Sequence, residues 1–535
     1  MQEYRLTVDK FLDHAAKWFG SARIVEGDAV RSSSATLDYA GLRERSNRLS
    51  GALMSLGGKN GNRIGTLAWN TLPHLETYYA VMGSGMVCHT LNPRMTADHL
   101  ATIIREAEDR ILAVSSDLFP LAREATEGCS SVTDLILLDG GDDAPASLPG
   151  GSRVWRYEDL LAERGRSVEW GRFGENCAAG LCYTSGTTGR PKGVIYTHRS
   201  NYLHTLRALQ ADAMAFTAAD TVLVAVPMFH ANGWGLPFAA PAVGASLVLP
   251  GRHTDGASLA RLMRDEKVTV AVGIHTLWLA VADHLRSTGE ALPDLERIII
   301  GGSSCPENLI VRMEQELGVR VQTSWGMTEL SPLGTIMPMT EAQRPELTSG
   351  RPPMGLDLKL VDAAGNALPD QVNTVGHLRV KGASVVDRYF GDEGSALDGA
   401  GYFDTGDLAT IDVAGNLTIS GRSKDLIKSG GEWINPTEIE AIVGNDPSVS
   451  LVAVIGMPDE KWTERPLLVI EPRNGHALDL GRLASALGER VAKWWIPDHY
   501  ARIADMPLTG SGKIDKVQLR AELAAGRLQM ERLEL

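Results

Sequence analysis

From about residue 36 to residue 340 the chain alternates helical patterns such as YAGLRERSNRLSGALMSL with short β-rich runs: RIGTLAW, TVLVAV, ASLVLP, VTVAV and RIIIG. Apolar spacing near 3.6 in one kind of segment and short β-branched runs in the other imply a layered α/β architecture. Further on, LDLKLVDAAGNALP, GHLRVKG and LATIDVAGNLTISGR read as strands joined by AGN turns, which predicts a small β-rich unit over about 345–421. After Arg422 the pattern is mixed again, with IEAIVGN as a helix, SLVAVIGMP as a strand and LGRLASALGERVAKW as an amphipathic helix. The expected organisation is a large N-terminal α/β domain over 1–423, containing the β-rich unit, and a small α+β C-terminal domain over 424–535.

Charge and cysteine use narrow the partners. Lys and Arg number 52 against 66 Asp and Glu, a formal charge of −14, which disfavours nucleic acid and anionic lipid over most of the surface. A small anion is not excluded, because local backbone donors and a few cations outweigh a screened global field at contact range. The five cysteines, Cys88, Cys129, Cys177, Cys182 and Cys305, form no C-x-x-C pair, which argues against a disulfide framework or zinc cluster and fits a reducing cytoplasm. No basic-then-apolar leader and no uninterrupted apolar 18-mer is present, so neither a signal peptide nor a transmembrane segment is expected.

The strongest local signal runs from Tyr183 to Gly193, between the apolar AAGLCY and the β-rich VIYTH. Gly186, Gly189 and Gly193 allow close backbone approach to a phosphate, Thr184, Ser185, Thr187 and Thr188 add hydroxyls, and Lys192 adds a positive charge. A solvated Ser/Thr/Gly surface loop has the same composition. The segment is not a Walker A loop, since Arg190-Pro191 separates Gly189 from Lys192 and a glycine follows the lysine.

Five segments in order, TSGTTGRPKG, SWGMTE, YFDTGDL, GRSKDLIKSGGEWINPTEIE and PLTGSGKIDK, together resemble the adenylate-forming superfamily. That superfamily holds acyl-CoA synthetases, peptide-synthetase adenylation domains and firefly-type luciferases. The resemblance covers essentially the whole chain. It implies ATP and Mg²⁺ as requirements, coenzyme A as co-substrate, a small-molecule carboxylic acid as substrate, and a mobile C-terminal domain.

The resemblance also implies roles. Thr184, Ser185, Gly186, Thr187, Thr188, Gly189 and Lys192 would hold phosphate; Trp325 would stack on adenine, with Gly326, Gly302 and Ser303 nearby. Thr328 would meet the α-phosphate, Glu329 with Thr188 would hold Mg²⁺, and Asp407 and Arg422 would bind ribose. Lys424 occupies the hinge position; Lys513 would neutralise charge during adenylate formation; Lys428, Gly430, Gly431 and Trp433 would line the channel for coenzyme A. His230, Trp234 and Met327 would border the acid, although an isolated histidine such as His230 is more often structural than catalytic. The segments HTLNPR, HANGWG and SWGMTELSPLGT look most like medium-chain fatty acyl-CoA and 3-methylmercaptopropionate ligases.

The activity so implied is an AMP-forming acyl-CoA ligase acting on a medium-sized hydrophobic acid. Delivery of the acyl group to a carrier protein or to oxygen is the alternative, and a non-catalytic nucleotide sensor is a third reading. A homodimer is the expected assembly.

Overall fold

The computed structural model describes residues 1–27, 35–140, 144–184, 191–303, 305–339, 348–430, 432–473, 476–509 and 512–533. Among them, two large sheets carry the N-terminal part. In the first, Arg153–Arg156, Asp134–Leu137, Ile111–Val114, Arg63–Leu67, Val87–Thr90 and Ala178–Thr184 run parallel, and Lys192–Thr197 closes one edge antiparallel. In the second, Arg320–Gly326, Arg297–Ile300, Val270–Gly273, Thr221–Val224, Ser246–Leu249 and Arg23–Glu26 run parallel between antiparallel edges. Strands covered on both faces carry continuous apolar runs, which is why Ile298 to Ile300 and Val270 to Val272 lack alternation.

One core joins the two sheets. Ile64, Cys88 and Ile111 from the first and Val222, Leu247 and Val270 from the second pack into the same cluster. Helix Leu72–Gly83, buried along its length apart from Pro73, lies in this layer. Its Tyr79 hydroxyl donates to the Pro237 carbonyl at 2.7 Å, which satisfies the polar tip of this buried aromatic.

Asn70 ties the sheets together just past the end of strand Arg63–Leu67. Its Nδ2 donates to the carbonyls of Val224 and Val226, each at 2.8 Å, and its Oδ1 accepts from Met228 N–H at 2.7 Å. One buried amide therefore satisfies three backbone groups of the segment that leads to Phe229 and His230.

The β-rich unit is a four-stranded antiparallel sheet of Leu356–Val361, Gly376–Gly382, Phe403–Ile411 and Leu417–Arg422. Both expected turns form around an aspartate: Asp362 Oδ1 accepts from Ala364 and Asn366 N–H, and Asp412 Oδ1 accepts from Ala414 and Asn416 N–H. Only the second joins two paired strands. After the first, Ala367 makes an isolated bridge to Val361 and pairing resumes at Gly376; Pro369, which has no N–H to donate, lies between.

The C-terminal part packs helices Pro436–Gly444, Leu480–Arg490 and Lys516–Ala524 on a mixed sheet centred on Thr463–Pro472. The amphipathic pattern predicts a helix running to Trp494, yet it ends at Arg490. Arg465 takes the carbonyls beyond it, reaching Trp494 O at 2.6 Å and Ile496 O at 2.9 Å, so that segment serves tertiary structure instead of a helical ladder. Among the described residues no helix is long and apolar enough to cross a membrane.

Replacing Asn70 by Ala leaves two carbonyls and one N–H without partners in the core, at about 1–3 kcal/mol each before relaxation. Asn70→Ala should therefore lose at least about 2 kcal/mol in chemical denaturation. A loss below about 0.5 kcal/mol, the size of an ordinary surface substitution, would show that Asn70 does not hold the sheets together.

Candidate active site

Ligands of open α/β sheets bind beyond the carboxyl ends of the strands. In the second sheet four neighbouring parallel strands end side by side. Phe229 and His230 follow Thr221–Val224, Ile274 and His275 follow Val270–Gly273, Gly301 to Ser303 follow Arg297–Ile300, and Trp325 and Gly326 close Arg320–Gly326. The register aligns Gly273 with Ile300 and Ile300 with Thr323, and Ser324 Oγ donates to the Ile300 carbonyl at 2.9 Å. Segments distant in sequence thus meet at one edge.

Asp407 is the centre of this edge. It belongs to strand Phe403–Ile411 of the β-rich sheet and is 2% exposed. Its Oδ2 accepts from Trp325 Nε1 at 3.0 Å, and its Oδ1 faces Arg422 Nε at 2.7 Å. Arg422 also donates to the Thr405 carbonyl at 3.0 Å. Burial raises the Asp407 carboxyl pKa, against the lowering effect of Arg422 and the Trp325 hydrogen bond.

The next layer surrounds Glu329. Tyr389 OH donates to Glu329 Oε1 at 3.0 Å, and Lys192 Nζ lies 4.6 Å from the centre of the Tyr389 ring. Thr328 is held by its backbone, its carbonyl accepting from Tyr196 OH at 2.9 Å. Thr184 pairs with Lys192 across the two strands that flank the glycine-rich loop. Ser185, Gly186, Thr187, Thr188 and Gly189 lie outside the described residues, as does Gly431.

Lys513 reaches this cluster from the C-terminal part. Its pKa is lowered, first by burial and then by Arg422, while Asp407 and Glu329 pull it upward. His230 feels the same lysine: burial, with Lys513 adding, brings its pKa down to about 4, so its imidazole is neutral near pH 7. The approach is tight, since a Cβ on Gly512 would stand 2.5 Å from Ile274 Cδ1. Trp234 lies over Gly301 and Gly302, with ring atoms 3.0 Å and 3.5 Å from where their Cβ atoms would be.

Trp234 is presented by an uncommon backbone. Ala231, Asn232, Gly233, Trp234 and Gly235 have φ of 46°, 54°, 57°, 55° and 78°, a left-handed turn that costs roughly 1–2 kcal/mol per non-glycine residue. Buried Asn232 contributes to holding it, with Nδ2 donating to Asn201 Oδ1 at 3.5 Å and Cys182 Sγ donating to its Oδ1 at 3.8 Å. Strain that surroundings over-determine is a mark of functional segments.

The other expected residues make contacts of their own. Met327 packs with Tyr196 and Trp325 in the core of the β-rich unit, and Ser303 Oγ bonds His275 Nδ1 at 3.1 Å. Lys424 is exposed in the turn Ser423–Asp425. Lys428, Gly430 and Trp433 lie on an edge hairpin of the C-terminal sheet; Lys428 Nζ is 5.6 Å from the ring of Trp433, which is 53% exposed. Gly430 abuts Trp462 and donates to its carbonyl at 2.8 Å.

Tyr196, Ile274, His275 and Tyr389 were not legible as site residues. Tyr196 and Tyr389 have only a hydroxyl to mark them, and Ile274 and His275 enter solely because their strand ends beside Arg297–Ile300.

The fold is an α/β architecture with a large N-terminal part and a small C-terminal part that brings Lys513 towards the cluster around Asp407. The AMP-binding enzyme model matches residues 12–390, and the AMP-binding enzyme C-terminal domain model matches 438–513. A 3-methylmercaptopropionyl-CoA ligase of Ruegeria lacuscaerulensis is 40% identical over 532 residues, 98% of each chain. A medium-chain-fatty-acid–CoA ligase of Ectopseudomonas oleovorans is 39% identical over 535 residues, 97% of this chain and 96% of that one. In fold, the chain superposes on a crystal structure of an anthranilate CoA ligase in complex with anthranoyl-AMP with a TM-score of 0.88 at 21% identity, over 98% of both chains. The chain belongs to the AMP-binding enzyme family.

His230 gives a pH test. With a folded pKa of about 4 against 6.5 in the open chain, it makes the unfolded state bind more protons between those values. Stability from this residue is present above pH 6.5 and is lost as pH falls towards 4. His230→Gln should therefore lose less stability than the parent protein between pH 6.5 and 4 in denaturation curves; an equal or greater loss would contradict a buried neutral imidazole.

Proposed function

We propose that this chain is an AMP-forming acid–thiol ligase that activates a hydrophobic carboxylic acid of medium size with ATP and transfers the acyl group to coenzyme A. Two relatives of about 40% identity that span nearly the whole chain are ligases of this kind and support the reading. The observation that carries the chemistry is the placement of the Lys513 loop, where a Cβ on Gly512 would stand 2.5 Å from Ile274 Cδ1 at the strand-end edge and where Asp407, Glu329 and Arg422 all act on the ammonium of Lys513.

In the first half-reaction the acid's carboxylate attacks the α-phosphorus of ATP, and pyrophosphate leaves. Lys513, a cation in a largely dry cleft, offsets negative charge on both reacting oxygens as the acyl-adenylate forms. Asp407, oriented by Trp325 and Arg422, offers carboxylate oxygens to the ribose hydroxyls. Neutral His230 and the ring of Trp234 border the acyl carbonyl without adding charge.

Mg²⁺ takes one or two carboxylates together with phosphate oxygens and water, and the residues present suit that role. Among the described residues no group of three His, Cys, Asp or Glu forms a metal cage, so Glu329 would meet an ion carried by the triphosphate, with Thr188 as the second expected contact. When bound, the ion would neutralise phosphate charge.

In the second half-reaction the thiol of coenzyme A attacks the mixed anhydride and AMP leaves. Lys513 has no part in that step, and the hairpin bearing Lys428, Gly430 and Trp433 stands on the same small domain, 80 or more residues earlier in the chain. Rotation at Lys424 would exchange one element for the other. A cytoplasmic location and a homodimer complete the reading.

Lys513→Ala should slow acid-dependent pyrophosphate exchange roughly 100- to 1000-fold while conversion of supplied acyl-AMP to thioester persists. A bulky replacement of Gly431 should do the reverse. Equal loss of both half-reactions in both variants would refute the division of labour. A panel of short, medium, long and aryl acids compared by kcat/KM tests the acid, and a preference for short or aryl acids would overturn the medium-size assignment.

A further inference from the structure

The Lys513 loop is fixed at its base. Thr509 N–H donates to the Lys513 carbonyl at 2.6 Å, Lys513 N–H to Thr509 Oγ1 at 3.2 Å, and Leu508 bridges Ile514. Asp515 then caps helix Lys516–Ala524, accepting from Val517 and Gln518 N–H at 3.0 Å each. Loop and helix are therefore one unit.

Two side chains four apart on that helix, and so on one face, are ion-paired. Lys516 Nζ lies 2.7 Å from Glu440 Oε1 on helix Pro436–Gly444, and Glu440 Oε1 also accepts from Val454 N–H at 2.6 Å in the small sheet. Arg520 Nη2 donates to Asp425 Oδ1 at 2.7 Å. Asp425 is the residue immediately after Lys424.

The residue before Lys424 is held from the other side. Ser423 Oγ bonds Nδ1 of His377, in strand Gly376–Gly382 of the β-rich sheet, at 3.1 Å. Ser423 is thus gripped by the large part and Asp425 by the small part, which leaves Lys424 as the pivot.

We propose that Arg520 and Lys516 are positioning residues that bolt the Lys513 loop to Asp425 and Glu440, so that a turn about Lys424 carries Lys513 in or out as one body. The inference rests on the roles given to Lys513 and Lys424 above. Both ion pairs lie wholly on the small-domain side of Lys424, so they persist through a rotation. Arg520 and Asp425 are partly exposed, 36% and 15%, and such pairs contribute little to stability, which points to placement as their purpose.

The test uses the full chain with Arg520→Ala, Asp425→Asn and Arg520→Lys, measuring pyrophosphate exchange and thioester formation from supplied acyl-AMP. Arg520→Ala and Asp425→Asn should each lower kcat for exchange roughly tenfold, within the penalty of up to about 100-fold for a small misplacement, with KM for ATP and the thioester step changed less than about twofold. Arg520→Lys, which keeps the pair, should recover most of the exchange rate. Unchanged exchange in Arg520→Ala beside crippled exchange in Lys513→Ala would overturn this coupling and leave the role of Lys513 standing. Unchanged exchange in Lys513→Ala would overturn both. Equal losses in the two half-reactions, or no recovery in Arg520→Lys, would mark the pair as merely structural.

Discussion

The buried carboxylate of Asp407 sets the geometry on which the rest of the site depends. A charge in so dry a place persists only with close partners, and its partners come from two directions: Trp325 from the edge of a large parallel sheet and Arg422 from the last strand before Lys424. Satisfying one acid therefore fixes the β-rich unit against the large sheet and fixes the strand from which the small domain departs. Lys513, arriving from that domain, feels Asp407, Glu329 and Arg422 together.

Around this centre, rigidity falls where position matters. Asn70 clamps the backbone leading to His230, and Asn232 contributes to holding the left-handed turn that lays Trp234 over Gly301 and Gly302. Beyond Asp407 the connection narrows to Lys424, with its two neighbours gripped from opposite sides. The result is a stiff floor and a small part whose chain connection passes through Lys424, an arrangement suited to two chemical steps with different needs.

Much of this was legible in the chain because local signals were strong. Continuous apolar runs marked the buried parallel strands, and the aspartate turns marked the β-rich unit. Lys513, Glu329, Asp407 and Arg422 announced themselves as polar residues set among glycines in ordered motifs. Tyr389 and Tyr196 did not, since a hydroxyl in an otherwise ordinary segment gives no sign of the acid or carbonyl it will reach. The helix that stops at Arg490 escapes sequence reasoning for a similar reason: the segment after it presents the Trp494 and Ile496 carbonyls to Arg465, a tertiary contact from a residue distant in sequence.

The sequence by itself determined the classes of element and the family, because apolar periodicity and glycine-bounded polar motifs are local properties. Only the tertiary structure decided which strand ends stand side by side, that Asp407 meets both Trp325 and Arg422, and that Lys513 comes from the small domain to the same point while Trp433 lies exposed on an edge hairpin. Those are consequences of sheet order, register and desolvation, and they arise from contacts between residues that lie tens to hundreds of positions apart.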